Sequence, residues 1–420
     1  MSHLNRIRHT KRDDCRLCGS RALKLVLELT PTPLGDLYTL PEDKESSREC
    51  FPIDLYLCKD CGYVHLRDVI DPDDIYPDYL YSTKTSTGLK QHFSAYAEEV
   101  FNVTKLSGDG LVVDIGSNDG TLLEVFKGYG CSVQGVDPAA SVVPLALEKG
   151  VPTIVDYFND AVADQIISER GQASIITANN VFANLDNLKS FVRSVYALLA
   201  RDGAFIVEFA YLGDLMEGKI FDYIYHEHLS YFSINALESF MNQEGFRLVH
   251  LSHSGSKGGS YRAYFTKTES NMPDDQNLKL YRKQEAELKL DHTQSYTQLA
   301  ESINENIRMT KQFLECVKGE GRRCVGYGAS VTCTTLLYHF GIADYLECLI
   351  DDNSVKIGRL SPGYHLPVNG SDYLDKNPDV ICVILAWRYA DVIKSRNPHF
   401  ISHGGCFVQP MPVFKVEGDN

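Results

Sequence analysis

The sequence predicts an α/β protein in which a small amino-terminal domain precedes two Rossmann-like units. Three observations support this fold class: two CxxC pairs before residue 62, and two apolar runs, LVVDIG and RRCVGYG, that each end in a glycine turn. A chain of 420 residues with 44% hydrophobic content can form two or three domains. The predicted domains are 1–80, 81–265 and 266–420.

Composition and charge exclude several classes of function. A formal net charge of -15 disfavours binding to the phosphate backbone of nucleic acids. The amino terminus MSHLNRIRHTKRDD has no apolar segment after its basic residues, and no apolar run approaches the ~18 residues of a membrane span. We therefore expect a cytoplasmic, monomeric or weakly associating chain that binds neither nucleic acid nor membranes.

Four of the 12 cysteines form a predicted metal site. Cys15 and Cys18 lie in CRLCGS, and Cys58 and Cys61 lie in CKDCGY, where the following glycine allows both thiolates to reach one ion. Four thiolates favour a structural Zn²⁺ without an open coordination position; redox dithiols and a coincidental spacing are the alternatives. The other cysteines lie mostly in apolar strings such as VICVILAW and are predicted to be buried thiols.

The stretch LVVDIGSNDGTLLEVF begins the second predicted domain. Its apolar start predicts a buried parallel strand, and TLLEVF begins a helix. The turn between them is not a dinucleotide GxGxxG motif, because it has acidic groups where a pyrophosphate would be repelled. A ligand with a positive centre and hydroxyl groups fits better, which indicates S-adenosylmethionine. The predicted ligand contacts in the turn are Asp114, Gly116, Asn118, Asp119 and Gly120.

Later strand ends complete this predicted cofactor site. CSVQGVDPAA ends a strand in Asp137, whose carboxylate can accept hydrogen bonds from both ribose hydroxyls. VDYFND places Asp156 near the adenine edge, and ASIITANN ends a strand at Asn179 and Asn180. The order of these strand ends is that of methyltransferases; a Rossmann-like core without a ligand is the alternative.

The segment FDYIYHEHLSYFS, residues 221 to 233, follows the last predicted strand of the same sheet. Its HEH triplet lacks the HExxH spacing of a helical zinc site, so metal binding is disfavoured, and packing is the alternative for His226. On a helical turn Tyr225 and His228 would share a face, whereas in a strand Tyr225 and Glu227 would. Either arrangement brings together groups suited to removing a proton from carbon.

The motifs in this order resemble a known family. CxxC, CxxC, DIGSNDG, ANNVFANL, FDYIYHEHLSYFS, GGSYR, VGYGAS and LSPGYHLPV are similar to the motifs of three-domain sugar C-methyltransferases, which methylate carbon on nucleotide-linked 4-keto sugars. The resemblance extends from about residue 14 to the carboxyl terminus. It implies a zinc domain, an S-adenosylmethionine domain and a carboxyl-terminal Rossmann-like domain, with the sugar nucleotide between the last two.

The resemblance also implies roles for individual residues. His228 is the implied base that removes the proton alpha to the sugar ketone, Glu227 orients it, and Tyr225 shuttles the proton or stabilises the enolate. Tyr79 and Tyr81 in YPDYLYSTKTSTG match family tyrosines that approach the same pocket.

The chain departs from the family pattern at two positions. Asn184 stands where family members commonly have an active-site histidine; asparagine can donate a hydrogen bond but cannot take a proton. Thr332 stands where the family often has lysine, which bears on phosphate contacts and on the choice of nucleotide. Neither change touches the implied base cluster.

The carboxyl-terminal part predicts a second α/β unit. Residues 277 to about 318 are charged and helix-forming, and RRCVGYGAS then repeats the strand, glycine turn and helix pattern. The third glycine of a dinucleotide site is absent, so bound NAD is disfavoured and the sugar nucleotide is expected at these strand ends. The predicted substrate contacts are Tyr327, Gly328, Ala329, Ser330, Asp351, Trp387 and, as an arginine clamp, Arg262.

The residues and the resemblance together predict S-adenosylmethionine-dependent C-methylation of a nucleotide-diphosphate-linked 4-keto-deoxysugar, at C-3 in preference to C-5, in deoxysugar biosynthesis. O- or N-methylation is one alternative, disfavoured because heteroatoms need less activation than carbon. A non-catalytic zinc-bearing scaffold that binds a sugar nucleotide is the other. The base of the nucleotide is left open among thymidine, guanosine, uridine and cytidine.

Overall fold

The structure is a computed structural model that describes residues 7–42, 49–75, 89–106, 108–254 and 259–418. Its larger sheets have four, seven and six strands, and their strands come mainly from residues 23–66, 111–267 and 324–417. The exact domain boundaries stay a prediction. Within the described ranges, no helix has both the length and the apolar character needed to cross a membrane.

The first domain is built from short antiparallel strands around the cysteine pairs. Its elements are β1 (His9–Lys11), β2 (Leu23–Leu27), β3 (Leu55–Cys58), β4 (Val64–Leu66), β5 (Asp68–Ile70) and α1 (Pro72–Ile75). β2, β3 and β4 form an antiparallel meander, and β1 pairs with β5. Leu55 and Leu57 of β3 are both buried, because alternate side chains of a strand point to the same face.

The second domain is a doubly wound sheet. Its elements are α2 (Leu89–Thr104), β6 (Leu111–Ile115), α3 (Thr121–Gly128), β7 (Ser132–Val136), α4 (Val143–Glu148), β8 (Thr153–Ile154), α5 (Asp160–Arg170), β9 (Ala173–Asn179), α6 (Leu188–Leu198), β10 (Leu199–Ala210), α7 (Leu212–Glu217), β11 (Ser230–Tyr231), α8 (Ile234–Gln243), β12 (Phe246–Ser254) and β13 (Ser260–Lys267). The sheet order is β12-β13-β10-β9-β6-β7-β8. The strands β6 to β10 are parallel, and β13 is antiparallel to both of its neighbours.

The core of this sheet has two sides because neighbouring side chains of β6 point to opposite faces. Val112 packs in a cluster with Tyr96 of α2 and Phe126 of α3, whereas Val113 packs in a cluster with Val162 of α5 and Val192 of α6. Helix α6 buries apolar residues at helical spacing. These helices on both faces confirm the doubly wound fold predicted from the sequence.

The third domain repeats this design. Its elements are α9 (Leu278–Leu288), α10 (Thr293–Gly319), β14 (Cys324–Tyr327), α11 (Val331–Phe340), β15 (Leu349–Ile350), β16 (Val368–Asn369), α12 (Asp372–Lys376), β17 (Ile381–Ile384), α13 (Ala390–Arg396), α14 (Pro398–Ser402), β18 (Cys406–Gln409) and β19 (Lys415–Glu417). The sheet order is β16-β15-β14-β17-β18-β19, with only β19 antiparallel to its neighbour. The predicted helical connector is confirmed, although Lys289 adopts a left-handed φ of 52° and divides it into two helices.

Strand β11 joins the first two domains. It lies within FDYIYHEHLSYFS, yet it pairs antiparallel with β4, where Ser230 stands opposite His65. Tyr63 donates its hydroxyl hydrogen to Ser230 and packs its ring 5.7 Å from that of Phe232. The segment that carries the predicted base cluster is therefore also the fourth strand of the first domain's sheet.

Candidate active site

The four predicted metal ligands lie together. The sulfur atoms of Cys15, Cys18, Cys58 and Cys61 are all within 4.8 Å of one another. The Cys15–Cys61 and Cys18–Cys58 sulfur pairs are each 3.6 Å apart. Sulfurs bound tetrahedrally to Zn²⁺ at ~2.3 Å stand ~3.8 Å apart, so the cluster fits a zinc ion. All four thiols are free of disulfide bonds, as such a site requires.

The first domain also contacts the second-domain loop that contains Asn184. This residue ends a 3₁₀ turn, Phe182–Asn184, and Asp186 follows shortly after it. Asp186 accepts hydrogen bonds at 3.0 Å from Nε of Arg16 and at 3.2 Å from Nη1 of Arg12. Arg16 lies between the first two cysteines, so the zinc knuckle and this loop are directly connected.

The turn between β6 and α3 has the close backbone approach that a cofactor cradle needs. Gly116 has a φ of 76°, and a Cβ atom there would lie 2.3 Å from Cγ2 of Val181. Asn118 donates its backbone N–H to Oδ2 of Asp137 at 2.8 Å, which ties the turn to the end of β7. Each carboxylate oxygen has two lone pairs, so Asp137 retains acceptor capacity for a ribose hydroxyl. These residues fit the predicted S-adenosylmethionine site.

Two other acidic residues of this turn have different environments. Burial, partly offset by a 2.5 Å hydrogen bond from the Thr177 hydroxyl, raises the pKa of Asp114 to about 7. Burial also disfavours ionisation of Asp119, but contacts with Thr121 and Lys149 outweigh it and lower its pKa. Asp119 is fully buried and shapes the turn, which corrects its prediction as a direct ligand contact.

The remaining predicted cofactor residues lie at the same edge of the sheet. Because β6 to β9 are parallel, their carboxyl ends meet there. Asn179 ends β9 and accepts a 3.0 Å hydrogen bond from the Tyr96 hydroxyl, while Asn180 has a left-handed φ of 58°. Asp156 follows β8 and is exposed. Contact of these three residues with the cofactor stays a prediction.

Arg262 has a different role from the predicted diphosphate clamp. It stands directly opposite Glu208 on the neighbouring strand and donates to that carboxylate at 2.7 Å. It also donates to Glu99 of α2 at 2.6 Å, and its guanidinium stacks on the Tyr96 ring at 3.7 Å. The side chain is 4% exposed. Its donors therefore fix α2 to the sheet, which corrects the prediction.

The predicted base cluster lies on a turn, so Tyr225 and His228 share a face, as the helical alternative predicted. The backbone N–H of His228 donates to the carbonyl of Tyr225 at 3.0 Å, and the two rings are 4.2 Å apart. The Tyr225 hydroxyl lies 3.0 Å from Nε2 of His228, and Nδ1 lies 3.4 Å from the carbonyl oxygen of Tyr223. Because a carbonyl can only accept, Nδ1 carries the hydrogen and Nε2 accepts from Tyr225.

The other residues predicted near this pair have different environments. Glu227 is half-buried, and its predicted role in orienting the base stays a prediction. His226 is buried with Nε2 3.1 Å from the carbonyl oxygen of Phe51, and burial lowers its pKa to about 4. It is a neutral packing residue, as the packing alternative expected. Tyr79 and Tyr81 lie outside the described residues.

The glycine turn of the third domain is closed by internal hydrogen bonds. The amide of Gly328 donates to the carbonyl of Ile350 at 2.7 Å, and the amide of Ala329 donates to the Asp351 carboxylate at 2.7 Å. The Ser330 side chain caps α11. The amides of Gly328 and Ala329 therefore donate to protein acceptors, which corrects the prediction that these two amides face a phosphate. A phosphate contact of the Ser330 amide stays a prediction.

Two further predicted substrate residues are also engaged with protein groups. The Tyr327 hydroxyl donates to Asp352 at 3.1 Å. Trp387 is 6% exposed, and its indole N–H donates to Asp222 of the second domain at 3.0 Å. The indole is thus packed between domains, which corrects its prediction as a contact of the nucleotide base. Sequence reasoning missed Asp222, although an acid between two aromatic residues was a visible signal.

Comparisons with known proteins cover nearly the whole chain. Residues 15–76 match a zinc-binding domain family, residues 90–251 a methyltransferase domain family, and residues 255–412 the family of C-methyltransferase C-terminal domains. The C-methyltransferase NovU of Streptomyces niveus is 30% identical over 408 residues, which is 96% of each chain.

Solved structures resemble the chain only in part. The PH0226 protein of Pyrococcus horikoshii is 16% identical, with a TM-score of 0.37 over 47% of this chain and 98% of that one. Magnesium protoporphyrin IX methyltransferase of Synechocystis, with bound SAH, is 15% identical, with a TM-score of 0.34 over 43% of this chain and 84% of that one.

Proposed function

Because the chain belongs to the three-domain C-methyltransferase family, we propose that it methylates a carbon atom of a nucleotide-diphosphate-linked 4-keto-deoxysugar, with C-3 favoured over C-5. It is an S-adenosylmethionine-dependent C-methyltransferase with a cysteine zinc site. The observation that carries the proposal is the contact between Tyr225 and His228, at 3.0 Å, on the segment that follows β10 and α7.

A carbon alpha to a ketone must lose a proton before it can accept a methyl group, so the site needs a base. Nε2 of His228 is the basic atom, because Nδ1 faces the Tyr223 carbonyl. The Tyr225 hydroxyl donates to Nε2, so the phenol oxygen can take the proton from carbon as its own proton moves to His228. The C–H electron pair then forms an enolate, and the imidazolium balances its charge.

The methyl donor would be held where the turn after β6 meets the end of β7. Gly116 and Asp137 would support it there, with Asp114 buried below the turn. When bound, S-adenosylmethionine supplies the electrophilic methyl group that the enolate carbon accepts. Its positive charge favours the ionised form of Asp114, whose pKa of about 7 leaves it partly protonated near neutral pH.

The Tyr225 and His228 pair also favours C-methylation over the two alternatives. A heteroatom acceptor would not need a relay of this kind, and a binding scaffold would not need a base at all. Asn184 cannot take a proton, but the relay does not include it. The departure from the family pattern therefore leaves the proposed chemistry complete.

The test is incubation with S-adenosylmethionine and a panel of 4-keto sugar nucleotides in deuterated water, followed by mass spectrometry. We expect one sugar nucleotide to gain a methyl group, and to incorporate deuterium when the methyl donor is left out. His228→Asn and Tyr225→Phe should each slow deuterium incorporation by about 10²- to 10⁴-fold, the usual contribution of a general base.

His226→Gln is the matched control, because His226 lies in the same triplet but its ring contacts Phe51 of the first domain instead of the Tyr225 and His228 pair. It should exchange deuterium at nearly the wild-type rate. Unchanged exchange in His228→Asn would remove His228 from the mechanism. Binding of the sugar nucleotide without methylation or exchange would favour the scaffold. The nucleotide base, the monomeric state and the cytoplasmic location remain predictions.

A further inference from the structure

The third domain contacts three consecutive residues, 222 to 224, that directly precede the Tyr225 and His228 pair. The indole N–H of Trp387, just after β17, donates to Oδ2 of Asp222 at 3.0 Å. The Thr335 hydroxyl, on α11, donates to the carbonyl oxygen of Ile224 at 3.0 Å. The guanidinium of Arg388 lies 4.9 Å from the centre of the Tyr223 ring.

These contacts lie in a buried interface between domains. Asp222 and Thr335 are each 1% exposed and Trp387 is 6% exposed, so water does not replace a lost partner easily. Oδ1 of Asp222 has no hydrogen-bond partner among the described residues, which leaves Oδ2 and the indole as the contact that holds this carboxylate. Burial, countered by Arg388 and then Trp387, raises the pKa of Asp222 to about 6.

The held residues connect directly to the base. The carbonyl of Tyr223 faces Nδ1 of His228, and this contact sets which ring nitrogen is basic. Tyr223 stands between Asp222 and Ile224, so the two interdomain hydrogen bonds help to set the direction of its carbonyl, which also accepts from the Tyr231 hydroxyl at 3.5 Å. A shift of Asp222 or Ile224 would therefore rotate the imidazole away from the Tyr225 hydroxyl.

We propose that Trp387 and Thr335 are positioning residues for the base, acting through Asp222 and Ile224. The inference rests on the proposed function of His228 and assigns the third domain a part in proton abstraction. Trp387 follows β17, so the end of a third-domain strand takes part in orienting the base.

The chain offers a matched pair of variants. Thr335 and Thr334 are adjacent buried residues of α11, and each donates its hydroxyl across a domain interface at 3.0 Å. Thr335 bonds the catalytic segment, whereas Thr334 bonds the carbonyl of Gly35 in the first domain. Replacing either by valine removes one hydroxyl and keeps the shape. Trp387→Phe is the second test variant, since it removes the indole N–H and keeps an aromatic ring.

The first measurement is sugar deuterium exchange and methyl transfer. We expect Thr335→Val and Trp387→Phe to lower kcat and the exchange rate by tenfold or more, with KM for S-adenosylmethionine within twofold. Thr334→Val should stay within twofold in every parameter. Equal losses in both threonine variants, or wild-type exchange in Thr335→Val, would overturn the proposal.

The second measurement needs no turnover. Amide hydrogen exchange over residues 221–230 is expected to accelerate about fivefold or more in Thr335→Val and to stay unchanged in Thr334→Val, as for the loss of one hydrogen bond. If the wild-type chain exchanges no sugar proton, the proposed function fails while this comparison still decides the positioning role. Equal protection of the segment in both variants would overturn that role.

Discussion

Replacing Arg262 by methionine should destabilise the second domain by about 3–5 kcal/mol, the usual effect of leaving one buried charge without its partner. Two carboxylates depend on this guanidinium, at 2.7 Å for Glu208 and 2.6 Å for Glu99. The Glu208 side chain is 5% exposed, so leaving this carboxylate without Arg262 accounts for most of the lost stability. Glu99 is 29% exposed, so solvent screens its share.

The assay is thermal and urea unfolding of the whole chain, with the second domain followed through S-adenosylhomocysteine binding. At about 2–4 °C per kcal/mol for a domain of this size, the melting temperature should fall by roughly 6–20 °C. Arg323→Met is the control, because Arg323 pairs with Glu347 and Asp379 while 43% exposed and should change stability by less than about 1 kcal/mol.

The double variant Arg262→Met with Glu208→Gln isolates the cause. Removing the negative charge should restore a large part of the lost stability, because the loss comes from an unpaired buried carboxylate rather than from missing contacts. Equal stability of Arg262→Met and Arg323→Met would refute the reasoning. So would a double variant no more stable than Arg262→Met alone.

Gly116→Ala should weaken S-adenosylhomocysteine binding at least tenfold in calorimetry, because its Cβ would lie 2.3 Å from Val181; unchanged affinity would contradict the cradle. Burial raises the pKa of Asp114 to about 7, so the folded state binds this proton more tightly than the unfolded state and loses stability as pH rises from ~4 to ~7. The melting temperature of Asp114→Asn relative to the wild type should therefore be higher at pH 8 than at pH 5. A difference that does not change with pH would contradict this effect of Asp114. Cys58→Ser should release zinc, measured by a chelating dye, and also accelerate amide exchange in β11, because β11 pairs with β4; an unchanged β11 would separate the metal from the catalytic segment.

The fold class and the cofactors were predictable because they depend on local patterns. A buried run followed by a glycine turn fixes a strand and the start of a helix, as in β6 and α3. The CxxC spacing lets both thiolates of a pair reach one ion, so two such pairs indicate one metal site. The spacing of Tyr225 and His228 likewise needed only a helical turn to bring them into contact.

Two of the errors concern side chains whose partners lie far away in sequence. Arg262 pairs with Glu208 because β13 runs antiparallel beside β10, and no local pattern specifies that neighbour. Trp387 meets Asp222 across 165 positions, through a domain interface that the sequence does not reveal. In both cases a polar group predicted to bind a ligand had already found a buried protein partner, which is the usual state of buried polar groups.

The position of the catalytic segment depends on all three domains. β10 and α7 of the second domain lead into it, β11 extends the first domain's sheet, and Trp387 and Thr335 of the third domain hold the residues before the base. Four thiolates close the zinc site, so the metal has no open position for a substrate. Zinc therefore bears on proton abstraction indirectly, through contacts such as the pairing of β4 with β11. The Cys58→Ser and Thr335→Val variants disturb the same segment from opposite sides, and their effects on deuterium exchange should be non-additive because both act on the orientation of His228.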